Sequence, residues 1–459
     1  MAYRVQNPAT GELEKTFDYA TDAQIDAAIA AAAAAYKEWS ARPMAERGAL
    51  LKKAGDLFSE RKEELAAIVG REMGKPHQEA VDEADFAKDM LYYYAEHGEE
   101  LAKDQEIPTL SNGTAIIRRL PIGVLLGVEP WNFPFYQIVR FGAPNLMLGN
   151  TILLKDADVC GESALAIQQI FDDAGFPKGV YTNIFATHDQ VATIIADPRV
   201  QGVALTGSEG AGRVIGSLAG KYLKKSVLEL GGTDPYIVLD SADVKASAKQ
   251  AWDFRMANTG QVCNSNKRLI VMDNIYDEFV AALVELANDM RPGTPLEADA
   301  DNVYAPLSSE SAAEHLMEQL AKVPADGGKI LAGGKRIGPG YYVSPAVVVD
   351  IARGSDSYYD EFFGPVAEVY RVHSDAEAVE VANDTRFGLG SAVFSTDPER
   401  AKAVARQIEA GMANVNTPSG EGAELPFGGV KYSGYGRELG PLGMDEFVNK
   451  QLYYVENAE

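Results

Sequence analysis

The sequence predicts an α/β protein with two doubly wound domains, and the spacing of its apolar runs is the main reason. In the first half, short apolar runs occupy residues 123–128, 151–154, 180–185, 202–205 and 226–228. Segments long enough for a helix, such as 163–174 and 209–221, separate most of these runs. This alternation is typical of an open, mostly parallel sheet with helices on both faces.

A second alternating series runs from residue 235 to about residue 413, with apolar runs at 236–239 and 268–272. A chain of 459 residues is long enough for two or three domains. We therefore expect two α/β domains that meet near residues 229–233.

The first hundred residues are expected to be helical. Thr21-Asp22-Ala23-Gln24 is a capping box ahead of an alanine-rich run, and Arg42-Pro43 marks the end of that run. Two further amphipathic stretches lie near residues 45–73 and 77–103, and Gly74-Lys75-Pro76 separates them.

Charge and composition exclude several classes of partner. The chain has 67 acidic and 42 basic residues and a net charge of −25, so nucleic acid and anionic membranes would be repelled. Whether this excess reflects a salty cytoplasm is left open. Two cysteines favour a reducing compartment. The start of the chain lacks the apolar core of a signal peptide, and no run reaches the length of a membrane helix. A cytoplasmic protein is expected.

Cys263 and Glu229 form the most informative pair in the sequence. Cys263 ends the run Asn258-Thr259-Gly260-Gln261-Val262-Cys263, and Glu229 precedes Leu230-Gly231-Gly232. Cysteine is a strong nucleophile, and a thioester formed on it needs a base that activates water for hydrolysis. The alternative is that Cys263 is a small core residue, because free cysteines are commonly buried.

Three loops follow apolar runs, where doubly wound sheets bind ligands. The loop that begins at Thr206 and contains Gly207, Ser208 and Gly212 opens a helix, whose amino terminus favours phosphate. Lys155 and Asp158 follow the second run and could hold ribose hydroxyls. Asn132, in Glu129-Pro130-Trp131-Asn132-Phe133-Pro134, could donate to an oxyanion. Each loop has an alternative interpretation. The loop that begins at Thr206 could be an ordinary strand-to-helix turn, the segment with Lys155 and Asp158 could be a solvated charged loop, and Asn132 could simply cap a turn.

Histidine and metal chemistry find no support in the sequence. The five histidines are scattered along the chain, and none lies near Cys263 in sequence. No Cys/His cluster has the spacing of metal ligands. No metal site is expected.

Taken together, these residues resemble the aldehyde dehydrogenase superfamily over nearly the whole chain. Six motifs occur in the order typical of that family. They are Trp131-Asn132-Phe133-Pro134, Thr206-Gly207-Ser208, Glu229-Leu230-Gly231-Gly232, Gly260-Gln261-Val262-Cys263, Glu361-Phe362-Phe363-Gly364-Pro365 and Pro426-Phe427-Gly428-Gly429. The Glu-Leu-Gly-Gly-Thr-Asp-Pro run and the short chain look most like the short microbial succinate-semialdehyde dehydrogenases.

The resemblance implies a role for each of these positions. Cys263 would be the nucleophile, Glu229 the base and Asn132 the oxyanion donor. The implied cofactor is NAD, with NADP possible, and the residues that would bind it are Trp131, Lys155, Asp158, Gly207, Ser208, Gly212, Leu230, Glu361 and Phe363. The carboxylate of Asp158 would accept from the ribose 2′-hydroxyl and repel a 2′-phosphate, and this favours NAD.

The resemblance also indicates a substrate. Phe133, Gln137, Arg140 and Phe427 would line the aldehyde tunnel. Arg140 lies two helical turns after Asn132, where succinate-semialdehyde dehydrogenases carry an arginine that could bind a carboxylate. Without the resemblance, an exposed helix arginine would be expected. Succinate semialdehyde is therefore the expected substrate, and a general aliphatic aldehyde is the alternative.

The chain departs from the commoner family pattern at three positions. Thr233 stands where many members have Lys, and Asp156 where many have Pro. Phe141 stands where several members have a lysine, so a proton relay through that lysine is not assumed here.

The implied architecture is two Rossmann-type domains with a small β element for oligomerisation. Residues 1–105 and 121–230 would form the NAD-binding domain and residues 231–430 the catalytic domain. Residues 106–120 and 440–459 would bridge the subunits of a homodimer or homotetramer. Two rival functions are a CoA-acylating member, which generally lacks the Glu base, and a non-catalytic member, which would be expected to lose Cys263 or Glu229.

Overall fold

The computed structural model describes residues 3–457. Residues 1, 2, 458 and 459, which belong to the predicted ranges 1–105 and 440–459, lie outside the described residues. The α-helices are α1 Asp22–Ala41, α2 Met44–Glu60, α3 Lys62–Met73, α4 His77–Leu101, α5 Pro134–Leu148, α6 Gly161–Ala174, α7 His188–Ala196, α8 Glu209–Lys221, α9 Val244–Met256, α10 Asp273–Asp289, α11 Glu310–Lys322, α12 Asp356–Tyr359, α13 Asp375–Asn383, α14 Pro398–Ala405 and α15 Gly440–Gly443.

The strands are shorter and more numerous. In chain order they are β1 Tyr3–Gln6, β2 Leu13–Phe17, β3 Gln105–Ile107, β4 Gly113–Pro121, β5 Val124–Val128, β6 Thr151–Lys155, β7 Tyr181–Asn183, β8 Val200–Thr206, β9 Lys225–Glu229, β10 Pro235–Val238, β11 Arg268–Met272, β12 Arg291–Pro292, β13 Val303–Tyr304, β14 Lys329–Ala332, β15 Arg336–Ile337, β16 Tyr342–Val343, β17 Ala346–Val349, β18 Val366–Val372, β19 Ala392–Phe394, β20 Asn414–Val415, β21 Gly434–Tyr435 and β22 Val448–Glu456.

The helical prediction for the first hundred residues holds from Thr21 onward. The predicted capping box is present at the start of α1, where Thr21 accepts from the backbone of Gln24 and the Gln24 side chain accepts from the backbone N–H of Thr21. Residues 3–17 are different, because β1 and β2 pair as an antiparallel hairpin. The stretch near 45–73 is two helices, since the backbone leaves helical geometry at Arg61 with φ −103° and ψ 9°.

Five parallel strands form the core of a six-stranded sheet. Its order is β21-β9-β8-β5-β6-β7, and only β21 runs antiparallel to its neighbour. The strand order reverses between β5 and β8, which is the switch point where doubly wound sheets bind ligands. The carboxyl ends of β5, β6, β8 and β9 therefore lie along one edge of this sheet.

The second half of the chain forms a seven-stranded sheet of order β14-β17-β18-β11-β10-β19-β20. All its strand pairs are parallel except that of β14 with β17. Its central strands are lined with fully buried Val, Ile and Leu side chains, as expected for strands covered by helices on both faces. The α/β fold predicted from the apolar runs is confirmed in both halves.

A separate three-stranded sheet joins the two predicted bridging segments. In order β22-β4-β3, the carboxy-terminal strand pairs antiparallel with β4 along nine residues, from Val448 opposite Pro121 to Glu456 opposite Gly113. Leu452 and Tyr453 on β22 are 64% and 49% exposed. Its oligomerisation role stays a prediction. Within residues 3–457, no helix combines the length and apolarity that crossing a bilayer requires.

Candidate active site

The side chains predicted from strand ends do converge on one edge of the six-stranded sheet. Asn132 follows β5, Lys155 ends β6, Thr206 ends β8 and Glu229 ends β9. Thr206 and Glu229 are directly paired across β8 and β9. Parallel strands bring their carboxyl ends together, so the sequence spacing alone leads to this arrangement.

Cys263 projects from a strained turn that follows α9. Asn258 and Thr259 both adopt left-handed backbone conformations, with φ of 47° and 54°, which cost free energy for residues with side chains. Lys267, which is fully buried, holds the other end of the turn by donating to the carbonyl oxygens of Val262 and Cys263, each at 2.7 Å. Such strain persists only where surrounding contacts enforce it.

The thiol of Cys263 opens onto a cavity of about 700 Å³. Cys263 is half-buried, whereas Cys160 is fully buried at the start of α6, so the core alternative describes Cys160 and not Cys263. Burial raises the pKa of the Cys263 thiol to about 11, and the positive charges of Arg140 and Lys267 oppose this rise. At neutral pH the thiol is therefore largely protonated and must lose its proton to react.

Asn132 is tied to the same turn by two hydrogen bonds. Its Nδ2 donates to the carbonyl oxygen of Gln261 at 3.1 Å, and its own carbonyl oxygen accepts from Nδ2 of Asn258 at 2.9 Å. The capping position of α5 belongs to Phe133, which makes no side-chain cap. Asn132 therefore connects the sheet edge to the cysteine turn and does not cap the helix.

Glu229 is buried next to this group. Neither of its carboxylate oxygens has a hydrogen-bond partner among residues 3–457. A Cβ atom at position 428 would come within 2.6 Å of Oε1 of Glu229, so the glycine there leaves room for the carboxylate. Burial raises the pKa of Glu229 well above its usual value; Arg140 opposes the rise and Glu438 adds to it. A carboxylate of this kind can act as a base near neutral pH.

Arg140 is fully buried, so the alternative of an exposed helix arginine is wrong. Its guanidinium forms an ion pair with Glu438 and donates to Oγ1 of Thr206 at 3.1 Å. It also lies over the rings of Tyr136 and Phe427, at 4.9 and 4.5 Å from their centroids. Both rings line the cavity, and Arg140 lies behind them.

The other predicted substrate residues do line the cavity. They are Phe133, Gln137 and Phe427. Oε1 of Gln137 is buried and has no partner among the described residues. Acidic side chains such as Asp82 and Asp301 contribute to the lining, whereas no Lys, Arg or His of the described chain does. The cavity wall is therefore acidic. Arg140, the residue predicted to bind the substrate carboxylate, lies behind this wall.

The predicted adenosine site begins at the end of β6. Lys155 is 4% exposed, donates to Oδ1 of Asp158 at 2.9 Å and lies 5.2 Å from the ring centroid of Tyr3, so it is not part of a solvated loop. The carboxylate of Asp158 also accepts from the hydroxyl of Tyr19 at 3.2 Å. The negative charge of Asp158 thus has a cation beside it.

The loop after β8 leads into the amino terminus of α8. Ser208 caps this helix by accepting from the backbone N–H of Ala211 at 3.3 Å, so the turn is an ordinary capped one, yet Ser208 and Gly210 are exposed beside the sheet edge. Gly212 is needed for close packing, because a Cβ atom there would lie 2.5 Å from Leu230. An exposed helix amino terminus of this kind suits a pyrophosphate.

The predicted nicotinamide end of the site lies next to the cysteine turn. Oε1 of Glu361 is 3.1 Å from Nζ of Lys267 and accepts from the backbone N–H of Gly232 at 3.1 Å. A side chain at Gly231 would clash with the Glu361 carboxylate. The rings of Trp131 and Phe363 meet edge to face, with centroids 5.8 Å apart. These residues, with Lys155, Asp158 and the start of α8, fit a dinucleotide along the sheet edge.

Sequence reasoning missed several residues of the site. Lys267, Glu438 and Lys75 are all buried and charged. Lys267 lies only four residues after Cys263, and this proximity was the one available signal. Lys75 lies far from the motifs in sequence, and Glu438 lies nine residues after Gly429 without belonging to that motif, so only the fold shows that they belong here. Among residues 3–457, no group of three or more His, Cys, Asp or Glu side chains is arranged to hold a metal ion.

Comparison with known proteins identifies the class. The chain matches the aldehyde dehydrogenase family over residues 1–452 and belongs to that family. It is 48% identical to the NADP(+) succinate-semialdehyde dehydrogenase of Deinococcus radiodurans over 447 residues, which cover 97% of this chain and 93% of the relative. It is 41% identical to the NADP(+) succinate-semialdehyde dehydrogenase 1 of Mycobacterium tuberculosis over 452 residues, 98% of either chain.

A solved structure agrees closely with the fold. The succinic semialdehyde dehydrogenase of Streptococcus pyogenes, in complex with NADP+, superposes with a TM-score of 0.96 at 42% identity. The match covers 99% of this chain and all of the other. The family prediction and the fold prediction are both confirmed.

Proposed function

We propose that this protein oxidises succinate semialdehyde to succinate with a nicotinamide dinucleotide as the oxidant, through a thioester on Cys263. The observation that carries the proposal is the grouping of three residues: Cys263 lines the cavity, Asn132 is hydrogen-bonded to the cysteine turn, and the charge of the buried Glu229 acts on the Cys263 thiol. A nucleophile, an oxyanion donor and a base are the three groups that aldehyde oxidation through a thioester requires.

The residues support the following sequence of steps. Sγ of Cys263 loses its proton to solvent, and the thiolate attacks the aldehyde carbon to form a C–S bond while the carbonyl oxygen becomes an oxyanion. The new oxyanion accepts hydrogen bonds from the backbone N–H of Cys263 and from Asn132, whose Nδ2 has two N–H groups and gives only one to Gln261. The nicotinamide cofactor would supply the two-electron acceptor when bound; loss of a hydride from the former aldehyde carbon to that acceptor lets the carbonyl reform and leaves a thioester on Sγ of Cys263. Glu229 then takes a proton from water, the water attacks the thioester, and the acid leaves Cys263 free.

The proposed substrate rests on the relatives and on one charge. The relatives described above are named as succinate-semialdehyde dehydrogenases. Arg140 lies directly behind the Tyr136 and Phe427 rings, where its field would favour a substrate carboxylate. A second candidate is a general aliphatic aldehyde, which the acidic cavity lining and the pairing of Arg140 with Glu438 favour.

The choice of cofactor is revised from the sequence expectation. Asp158 alone would favour NAD, because its carboxylate would repel a 2′-phosphate. The ion pair with Lys155 offsets that charge, and the relatives are named for NADP. We therefore propose that NADP is the better cofactor and that NAD is also accepted.

The predicted organisation completes the proposal. Residues 1–105 and 121–230 would bind the cofactor, residues 231–430 would carry Cys263, and the β22-β4-β3 sheet would join subunits through residues such as Leu452 and Tyr453. We therefore propose that the protein forms a homodimer or homotetramer in the cytoplasm. Size measurement in solution, repeated on a chain that ends before β22, would test the assembly.

One assay separates the candidate functions. Succinate semialdehyde, butanal and other aldehydes are each incubated with NAD or NADP, with and without coenzyme A, and reduced cofactor is followed by absorbance. We expect turnover that needs no coenzyme A and a higher kcat/KM for succinate semialdehyde than for butanal. Turnover only with coenzyme A would instead indicate an acylating enzyme, and a preference for butanal would indicate a general aldehyde dehydrogenase.

A further inference from the structure

Two carboxylates on the first turns of α4 bind the backbone on both sides of the proposed oxyanion site. Oε2 of Glu79 accepts from the backbone N–H of Asn258 at 2.7 Å. Oε1 of Glu83, one turn further along, accepts from the backbone N–H groups of Phe135 and Tyr136 at 2.8 and 3.0 Å. One helix therefore holds both the cysteine turn and the start of α5, which follows Asn132.

The contact made by Glu79 falls where the turn is most strained. Asn258 is the first of two consecutive residues with left-handed backbone geometry, and its Nδ2 is the donor to the carbonyl oxygen of Asn132. If the backbone of Asn258 relaxed, the side chain that reaches Asn132 would move with it. Strained backbone remains in place only where contacts of this kind outweigh its cost.

Glu83 is itself fixed in position. Its second oxygen is paired with the fully buried Lys75, whose Nζ lies 3.5 Å from the ring centroid of Phe133. Glu83 and Lys75 thus form a buried ion pair whose loss from one side would destabilise the fold. Glu79 differs from Glu83, because its side chain is only half-buried and lines the cavity. Its replacement should therefore disturb the fold less than replacement of Glu83.

We propose that Glu79 is a positioning residue for the reaction, which holds the strained turn so that the Cys263 backbone N–H and Asn132 face the same point. This inference rests on the proposed thioester chemistry. It adds a role for a side chain that does not touch the reacting atoms. Positioning errors near 1 Å can lower an enzyme's rate about 100-fold, so a visible kinetic effect is expected.

The test compares two substitutions of Glu79 with a matched control. Glu79→Ala removes the acceptor, whereas Glu79→Gln keeps an oxygen that can accept from Asn258. Asp89→Ala is the control, because Asp89 is an exposed carboxylate on the same helix and is not among the residues that line the cavity. All three variants are compared with the unmodified chain by thermal unfolding and by steady-state kinetics.

We expect Glu79→Ala to lower kcat by roughly ten- to a hundred-fold with little change in KM, because turn geometry and not substrate binding is affected. Glu79→Gln should recover most of that loss, and Asp89→Ala should stay near the unmodified rate. The rate of Cys263 alkylation by iodoacetamide should fall in Glu79→Ala and recover in Glu79→Gln.

Two results would overturn the proposal. The first is a kcat in folded Glu79→Ala within twofold of the unmodified chain. The second is an equal loss in Glu79→Ala and Glu79→Gln, which would mean that the hydrogen bond is not what Glu79 contributes. The alkylation rate needs no aldehyde, so it tests the turn even if the proposed substrate or reaction is wrong.

Discussion

Arg140 and Glu438 form a buried ion pair, and the Arg140 guanidinium lies against the rings of Tyr136 and Phe427, which line the cavity. The side chain of Arg140 is fully buried, and Glu438 is 6% exposed. The same guanidinium lowers the pKa values of Cys263 and Glu229, which burial raises. One positive charge therefore acts on the nucleophile, on the base and on the polarity of the cavity.

Cys263 is expected to be indispensable. Cys263→Ala should fold normally and produce no reduced cofactor, because Cys263 is the one cysteine among residues 3–457 that lines the cavity and the covalent step has no substitute. The measurement is reduced-cofactor absorbance with succinate semialdehyde, with thermal unfolding as the folding check.

Cys160→Ser is the matched control for that variant. Cys160 is buried behind Trp131, and its Sγ is 3.8 Å from the Trp131 carbonyl oxygen, so a serine hydroxyl can donate to the same acceptor. Activity should stay near that of the unmodified chain. Substantial turnover in Cys263→Ala, or loss of activity only in Cys160→Ser, would place the nucleophile elsewhere.

Glu229→Gln should separate the two halves of the reaction. The variant should still form the thioester and release about one equivalent of reduced cofactor in a burst, then turn over slowly, because only water activation is impaired. Rapid mixing measures the burst, and mass spectrometry of the stalled protein should find an acyl group on Cys263. Absence of that adduct would mean that Glu229 acts before the thioester forms.

The pH dependence of the slow step follows from the same residue. Only ionised Glu229 can take a proton from water, and burial raises its pKa, so the ionised fraction grows as the pH rises. The rate of thioester hydrolysis in the unmodified chain should therefore increase with pH across that raised pKa. In Glu229→Gln this increase should disappear, and a retained increase would assign the ionisation to another group.

The sequence predicts where strands and helices lie, but it does not predict which charged side chains are buried. The apolar run at 268–272 coincides with β11, and the predicted helix at 209–221 coincides with α8, because both are set by local periodicity. Arg61, where α2 ends and α3 begins, has no Gly or Pro to mark the break. Periodicity alone could not show it.

The motifs predict Cys263, Asn132 and Glu229 as site residues, but they do not predict the contacts that fix the positions of these residues. Lys267 and Glu79 bind backbone atoms of the cysteine turn, and backbone acceptors and donors leave no trace in the residue pattern. The sequence does not predict the ion pair of Arg140 with Glu438, because the two residues lie 298 positions apart in the chain. Long-range charge pairing is a property of the fold.

The preference for NAD or NADP should depend on the ion pair between Lys155 and Asp158 and not on Asp158 alone. Lys155→Met removes the cation that balances Asp158, so the uncompensated carboxylate should repel a 2′-phosphate and shift preference from NADP toward NAD. Asp158→Asn is the complementary variant and should increase the preference for NADP. The measurement is the ratio of kcat/KM for the two cofactors. A clear NAD preference in the unmodified chain would restore the expectation drawn from Asp158.

Substrate choice is tested by removing the charge behind the cavity wall. Arg140→Ala alone would leave Glu438 buried without its partner, at a cost of about 3–5 kcal/mol, so the stable comparison is Arg140→Met combined with Glu438→Gln. Glu438→Gln by itself keeps the positive charge and is the control; because it breaks the same buried pair from the other side, its folding is checked by thermal unfolding before its kinetics are compared. In the double variant, KM for succinate semialdehyde should rise about tenfold, equivalent to ~1.4 kcal/mol of lost attraction, while KM for butanal changes little. The part of the pH profile that Cys263 sets should also move to higher pH with both substrates, since Arg140 no longer lowers the pKa of Cys263; for Glu229 the simultaneous loss of the Glu438 charge opposes the loss of Arg140. Equal increases in KM for the two aldehydes would instead assign Arg140 to the nucleophile and base alone, and the protein to general aldehyde oxidation.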